Sequence, residues 1–183
     1  MEKTLFAIIL GGVLLNNYAL LNFLGASTFL GATKEACKSA VTGVAVTVVM
    51  VLSTLVVWPI QNYVLAPFGL EYLQTLVFVV VILAVAALTG AAAKAICKKP
   101  LGVWFPLLVL NSAVLGVAVN VVSDTFVQAL VGAAAAGIGF LLAMVLFSGI
   151  RSRIEEAYVP KAFRGLPIYL MSAAILSLAL FAF

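Results

Sequence analysis

The sequence contains no histidine, only two cysteines and few charged residues. Of its 183 residues, 9% are charged and 66% are hydrophobic, whereas about a quarter of the residues in a soluble domain are charged. So few charges cannot cover a surface in contact with water, which indicates an integral membrane protein. The absence of histidine removes the usual axial ligand of haem, the commonest zinc ligand and the simplest proton relay near neutral pH.

Carboxylates are absent from the centres of the apolar segments. A transporter that moves protons through its own side chains is expected to carry an ionisable group inside the membrane, so the sequence argues against a proton pump that works alone. No nucleophile–base pair or glycine-rich phosphate loop is present either, and we predict no catalytic residue. The carboxylates all lie at or beyond predicted helix ends: Glu2, Glu35, Glu71, Asp124, Glu155 and Glu156.

Basic residues are concentrated in alternate gaps between the apolar segments. Short loops rich in lysine and arginine remain in the cytoplasm, so this alternation predicts six membrane-spanning helices with the N- and C-termini outside. Because the net charge of +4 is spread over three short loops, it indicates interfacial anchors and not a nucleic-acid site. The basic residues of the three gaps are Lys34, Lys38, Lys94, Lys98, Lys99, Arg151, Arg153, Lys161 and Arg164.

The two cysteines, Cys37 and Cys97, lie beside two of these basic gaps. Thiols on the cytoplasmic side remain reduced, so we expect no disulfide. A free cysteine commonly behaves as a small hydrophobic residue. We favour that interpretation over a role as a cluster ligand.

We predict an all-α integral membrane fold in a single domain over residues 1–183. Apolar runs of about 20 residues are long enough to cross a bilayer of roughly 30 Å. The first run is interrupted by Asn16 and Asn17 and has no convincing cleavage site, so we expect it to be retained. The predicted helices are 5–23 with an irregular continuation over 24–33, 40–57, 70–92, 103–121, 125–148 and 166–183.

A weak internal repeat divides the chain into residues 1–98 and 99–183. The pattern Ser-x-apolar-Leu-Gly occurs at 27–31 and 112–116, and two further short matches follow in the same order in both halves. Because each half holds three predicted helices, the second half must enter the membrane with the opposite orientation. Such an inverted repeat is common in membrane proteins that handle ions. Chance similarity among apolar segments is the alternative.

The repeated pattern lies in predicted helices one and four, the two with polar interruptions. Paired interrupted helices point to a site near the bilayer midplane, because freed backbone groups must be satisfied inside the protein. The other interpretation is that the polar residues bond only to neighbouring helices. The candidate residues of an ion path or of the broken helices are Asn16, Asn17, Asn111, Gly31 and Gly116, together with Ser27 and Ser112.

Several short segments, spread over nearly the whole chain, form a recognisable set. They include Asn-Asn-Tyr-Ala-Leu at 16–20, Phe-Leu-Gly at 23–25, Gly-Leu-Glu-Tyr-Leu at 69–73, Ala-Val-Leu-Gly-Val-Ala at 113–118 and Val-Pro at 159–160. Together these segments resemble one family, the six-helix membrane subunits of the Rnf complex (ferredoxin:NAD oxidoreductase) and of the sodium-pumping NADH:quinone oxidoreductase. Within this family they are most similar to the RnfA-type subunits of the Rnf complex and to their NqrE-type counterparts in the sodium pump.

The resemblance implies a subunit of a redox-driven, ion-translocating complex in a bacterial or archaeal cytoplasmic (inner) membrane. Such a subunit is not catalytic alone, but contributes to transmembrane electron transfer and to the ion path. The implied partners are a homologous six-helix sister subunit, the other subunits of the complex, membrane lipid, and sodium or protons. The alternatives are a transporter of ions or small solutes built on the inverted repeat, and a purely structural subunit.

The resemblance also implies a [2Fe-2S] cluster shared with the sister subunit. Ser27 and Ser112 stand at the positions of the family's two cysteine ligands, and Gly90 stands where a carboxylate is usual. Serine is a poor substitute, because cluster iron prefers a soft thiolate. The chain has therefore lost the cluster and keeps a structural or ion-path role, or was altered at both positions, or holds the cluster through other ligands.

Overall fold

The computed structural model describes residues 5–15, 24–25, 36–97, 111–154 and 158–181. In these ranges the chain is helical and forms no β-strand, which confirms the predicted all-α class for this part of the chain. Its α-helices are α1 (Leu5–Leu10), α2 (Ala36–Ile60), α3 (Gln74–Cys97), α4 (Ser112–Val121), α5 (Phe126–Arg153) and α6 (Leu166–Phe181).

Three stretches of the described chain are long and apolar enough to cross a membrane: Ser39–Leu65, Glu71–Ala91 and Phe126–Arg153. Two shorter apolar helices cover Ser112–Val121 and Leu166–Ala179. Large apolar side chains point outward from several of these helices. Hydrocarbon covers such surfaces without the free-energy cost that water would impose. The chain is therefore a membrane protein.

Within the described part of the chain, helices α2 and α5 make the most extensive helix–helix contact and run antiparallel. Near the start of α2, a Cβ atom added at Gly43 would lie 3.1 Å from the Cα atom of Leu141, in the second half of α5. Near the end of α2, the ring of Trp58 packs edge-on against Phe126, the first residue of α5, with 5.1 Å between centroids. The largest fully buried apolar side chains are Phe78, Phe140, Phe147, Met50 and Met144.

Small residues allow other segments to approach α5 closely. A Cβ atom at Gly139 would lie 2.7 Å from the carbonyl oxygen of Gly12, in the π-helical turn Gly11–Leu15 that follows α1. A Cβ atom at Gly132 would lie 3.2 Å from Val121, the last residue of α4. The small residues of α5 therefore bring the interrupted segments of both halves of the chain against one helix.

Helix α2 is longer than predicted at both ends. The predicted helix stopped at residue 57, before Trp58 and Pro59, whereas α2 begins at Ala36 and continues through Pro59 into the π-helical turn Gln61–Leu65. A proline removes one backbone hydrogen bond and crowds the preceding turn, and here the wider π-helical turn follows directly. Helices α3 and α5 likewise extend five residues beyond their predicted C-terminal ends, to Cys97 and Arg153.

Candidate functional site

Asn111 is the N-cap of α4, so the helix predicted over 103–121 is not continuous at Asn111, which the sequence indicated as one of its interruptions. Its backbone is extended, with φ −76° and ψ 115°, and its Oδ1 atom accepts a hydrogen bond of 3.0 Å from the N–H group of Ala113. The side chain is only 2% exposed. Asparagine is among the preferred residues at this position because it satisfies an N–H group that the first helical turn leaves unpaired.

Gly25, from the first half of the chain, lies beside the start of α4. Its N–H group donates a hydrogen bond of 2.8 Å to the Oγ atom of Ser112, 87 positions away. Gly25 has a φ of +82°, which glycine adopts without steric cost. A Cβ atom there would lie 2.5 Å from Oδ1 of Asn111 and 2.9 Å from Cε2 of Phe140. Both the backbone conformation and the lack of space therefore require glycine.

Gly116, one turn further along α4, receives the neighbouring side chain of Leu24. A Cβ atom at Gly116 would lie 2.5 Å from Cδ1 of Leu24, so this contact also depends on a missing side chain. The predicted site residues Asn111, Ser112 and Gly116 thus lie together and meet residues 24–25 of the first half. We call these five residues (Leu24, Gly25, Asn111, Ser112 and Gly116) the junction.

Four other predicted site residues lie outside the described part of the chain: Asn16, Asn17, Ser27 and Gly31. Their roles stay predictions. In the sequence, Leu24 and Gly25 were noted only within the family segment Phe-Leu-Gly at 23–25, and Phe140 was not singled out. A glycine after Phe-Leu in an apolar helix was an available signal for Gly25. An apolar residue such as Phe140 carries no such signal.

The donor set at the junction does not fit an iron–sulfur cluster. Such clusters are held by cysteine thiolates, whereas Ser112 offers a hydroxyl whose oxygen accepts the N–H group of Gly25. Among the described residues, no group of three or more His, Cys, Asp or Glu side chains could hold a metal ion. Cys37 and Cys97 belong to the first turn of α2 and the end of α3, and neither is part of the junction.

The fold and the junction define a class: a helical membrane protein in which residues 24–25 meet the start of α4 beside α5. Comparison with known proteins narrows this class. The sequence model described as "Rnf-Nqr subunit, membrane protein" matches residues 5–183. The chain belongs to this family of membrane subunits, which confirms the family predicted from the sequence.

Individual relatives cover nearly the whole chain. It is 41% identical to the A subunit of an ion-translocating oxidoreductase complex of Syntrophotalea carbinolica, over 99% of this chain and 96% of the relative. It is 39% identical to the A subunit of a Na(+)-translocating ferredoxin:NAD(+) oxidoreductase complex of Acetobacterium woodii, over 98% and 96%. The A subunit of the ion-translocating oxidoreductase complex of Edwardsiella ictaluri is 40% identical, over 96% and 94%.

Proposed function

We propose that this chain is a membrane subunit of an Rnf-type, ion-translocating oxidoreductase complex. The observation that carries the proposal is its similarity, over nearly the full length of both chains, to relatives that are named as the A subunits of such complexes. Within the complex, the chain contributes to the path of electrons and ions across the membrane. It acts there with the other subunits and not as an enzyme by itself.

The proposal includes six membrane spans arranged as an inverted repeat of residues 1–98 and 99–183. Three observations support this arrangement. Helices α2 and α5, the middle helices of the two halves, run antiparallel. In addition, α1 packs on α5 while α4 packs on α2, so each interrupted segment contacts the middle helix of the opposite half.

The third observation concerns two glycines at matched positions of the repeat. Gly69, before α3, has a φ of +66°, and Gly165, before α6, has a φ of +83°. Both occupy the left-handed region, which glycine enters far more readily than other residues. A glycine with a left-handed backbone conformation therefore precedes the third helix of each half, as expected for two copies of one unit.

Orientation is tested by labelling single cysteines with a reagent that does not cross membranes, after Cys37 and Cys97 have been changed to alanine. We expect Pro67→Cys to react from outside and Phe163→Cys, at the equivalent place of the second half, to react only after the membrane is opened. Both positions are exposed. This result follows from cytoplasmic retention of basic loops. Labelling of both from the same side would contradict the inverted repeat.

Assembly is tested by purifying the tagged chain from its native membrane in mild detergent. We expect it to be recovered together with a homologous six-helix sister protein and with further subunits of an ion-translocating oxidoreductase. An unrelated tagged membrane protein from the same host serves as the control. Recovery of the chain alone, together with sodium or proton flux in liposomes that contain only this chain, would instead support the transporter alternative.

A further inference from the structure

We propose that Ser112 is not a ligand of a [2Fe-2S] cluster but a positioning residue, whose hydroxyl joins residues 24–25 of the first half to the start of α4. The inference rests on the proposed function for one point only, namely that a member of this family is expected to share a cluster. The rest follows from the atoms at the junction.

The first step of the argument concerns the backbone of Gly25. This residue is buried, and its N–H group pairs with the Oγ atom of Ser112 at 2.8 Å. Inside a membrane, a backbone N–H group without a partner is costly because lipid supplies no acceptor. The Ser112 hydroxyl therefore supplies an acceptor for the Gly25 N–H group, which alanine could not supply.

The second step concerns the chemistry of the same oxygen. Iron–sulfur clusters are held by thiolates, and replacement of a soft sulfur by a hard oxygen weakens the site. To act as an anionic ligand, the Ser112 hydroxyl would also have to lose its proton. The neighbouring oxygen, Oδ1 of Asn111, already accepts the N–H group of Ala113. The donor atoms at the junction are thus suited to backbone N–H groups and not to iron.

The third step concerns packing. Leu24 fills the space that a side chain at Gly116 would need, and Asn111 and Phe140 fill the space beside Gly25. These contacts connect residues 24–25 to α4 and α5 directly. Apolar packing and the hydrogen bond from Gly25 to Ser112 therefore hold residues 24–25 against α4 and α5.

The cluster is tested on the complex purified without oxygen, by comparing the wild type with Ser112→Ala. Iron, acid-labile sulfide and the electron paramagnetic resonance spectrum of the reduced complex are measured for both. We expect the same iron and sulfide content per complex and superimposable spectra. One [2Fe-2S] cluster holds about two irons. If Ser112→Ala lost about two irons per complex together with a [2Fe-2S] signal, the proposal would be overturned.

The positioning role is tested by amide hydrogen exchange of the segment that contains Gly25, in the intact chain. We expect Ser112→Ala to accelerate exchange of the Gly25 amide about fivefold, as for the loss of one ordinary hydrogen bond, and Ser112→Thr to restore protection because threonine keeps the hydroxyl. The control is Ser152→Ala, whose hydroxyl bonds only to Gly149 of its own helix. Equal protection in Ser112→Ala and the wild type would overturn the proposal.

The two measurements separate this inference from the proposed function. If the chain is recovered without partner subunits, the proposed function fails, whereas exchange at Gly25 still reports on the hydrogen bond in the isolated chain. If partners are recovered and Ser112→Ala removes a cluster, the proposed function holds and the inference fails.

Discussion

The hydroxyl of Thr47 in α2 donates a hydrogen bond to the carbonyl oxygen of Gly137 in α5, with 2.9 Å between the two oxygens. The same hydroxyl lies 2.8 Å from the carbonyl oxygen of Gly43 in its own helix, so its single proton is shared between two acceptors. A Cβ atom at Gly137 would lie 2.5 Å from Cγ2 of Thr47. This contact between α2 and α5 therefore depends on the hydrogen bond from Thr47 to Gly137 and on the absence of a side chain at Gly137.

The first prediction is that Gly137→Ala destabilises the chain. Because the new methyl group overlaps Thr47, we expect the free energy of unfolding to fall by about 1–3 kcal/mol, the usual cost of overpacking. In a Thr47→Ala background, where Cγ2 is gone, the same substitution should cost clearly less. Unfolding in mixed detergent micelles measures both effects.

Gly149 provides the matched control in the same helix. Nothing lies within 4 Å of a Cβ atom added there, and alanine is a better helix former than glycine by about 1 kcal/mol. Gly149→Ala should therefore leave stability unchanged or raise it. An equal loss at Gly137 and Gly149 would mean that close packing against Thr47 is not the cause.

The small residues of α5 illustrate what the sequence could predict. The run from Gly132 to Gly139 is rich in glycine and alanine, and such a face indicates close approach by another helix. The sequence does not say which segments approach, because this depends on contacts between distant parts of the chain. In the structure, Gly137 faces α2 and Gly139 faces the turn after α1.

The second prediction concerns the junction. Gly25→Ala combines an unfavourable backbone conformation with overlap against Asn111, whereas Gly69→Ala has the unfavourable conformation alone, since nothing lies within 4 Å of its Cβ position. A positive φ costs a residue with a side chain about 1–2 kcal/mol, and overlap adds about 1–3 kcal/mol. Unfolding should therefore show a clearly larger loss for Gly25→Ala. Similar losses for the two variants would argue against a packed junction.

The third prediction concerns the end of α2. Nε1 of Trp58 donates a hydrogen bond of 2.9 Å to the carbonyl oxygen of Asp124, in the turn between α4 and α5. Trp58→Phe removes this donor but keeps an aromatic ring beside Phe126, so we expect a loss of about 1 kcal/mol. Far-ultraviolet circular dichroism during unfolding measures it. Tyr63→Phe, which removes an exposed hydroxyl next to Trp58, should have no such effect.

Helix ends were the least predictable part of the fold. Helix two was predicted to end at residue 57, before Trp58 and Pro59, yet it continues to Ile60, and the π-helical turn Gln61–Leu65 follows it. Asn111 was predicted as an interruption of helix four, but the sequence did not indicate that a helix starts there, where the asparagine side chain bonds to the backbone. In the structure, residues 24–25 meet the segment 111–116. The bond from Gly25 to Ser112 depends on the tertiary fold and has no signal in the local sequence.

The fourth prediction concerns the contact between α5 and α6. The Cζ atom of Arg151 lies 4.2 Å from the centroid of the Tyr169 ring, and Tyr169 is 6% exposed. A cation above an aromatic ring contributes about 0.5–2 kcal/mol, depending on desolvation. A double-mutant cycle of Arg151→Met and Tyr169→Leu should show a coupling energy in this range. The same cycle with Arg153, which is exposed in the same turn, should show none, and coupling of equal size there would exclude a specific contact between Arg151 and Tyr169.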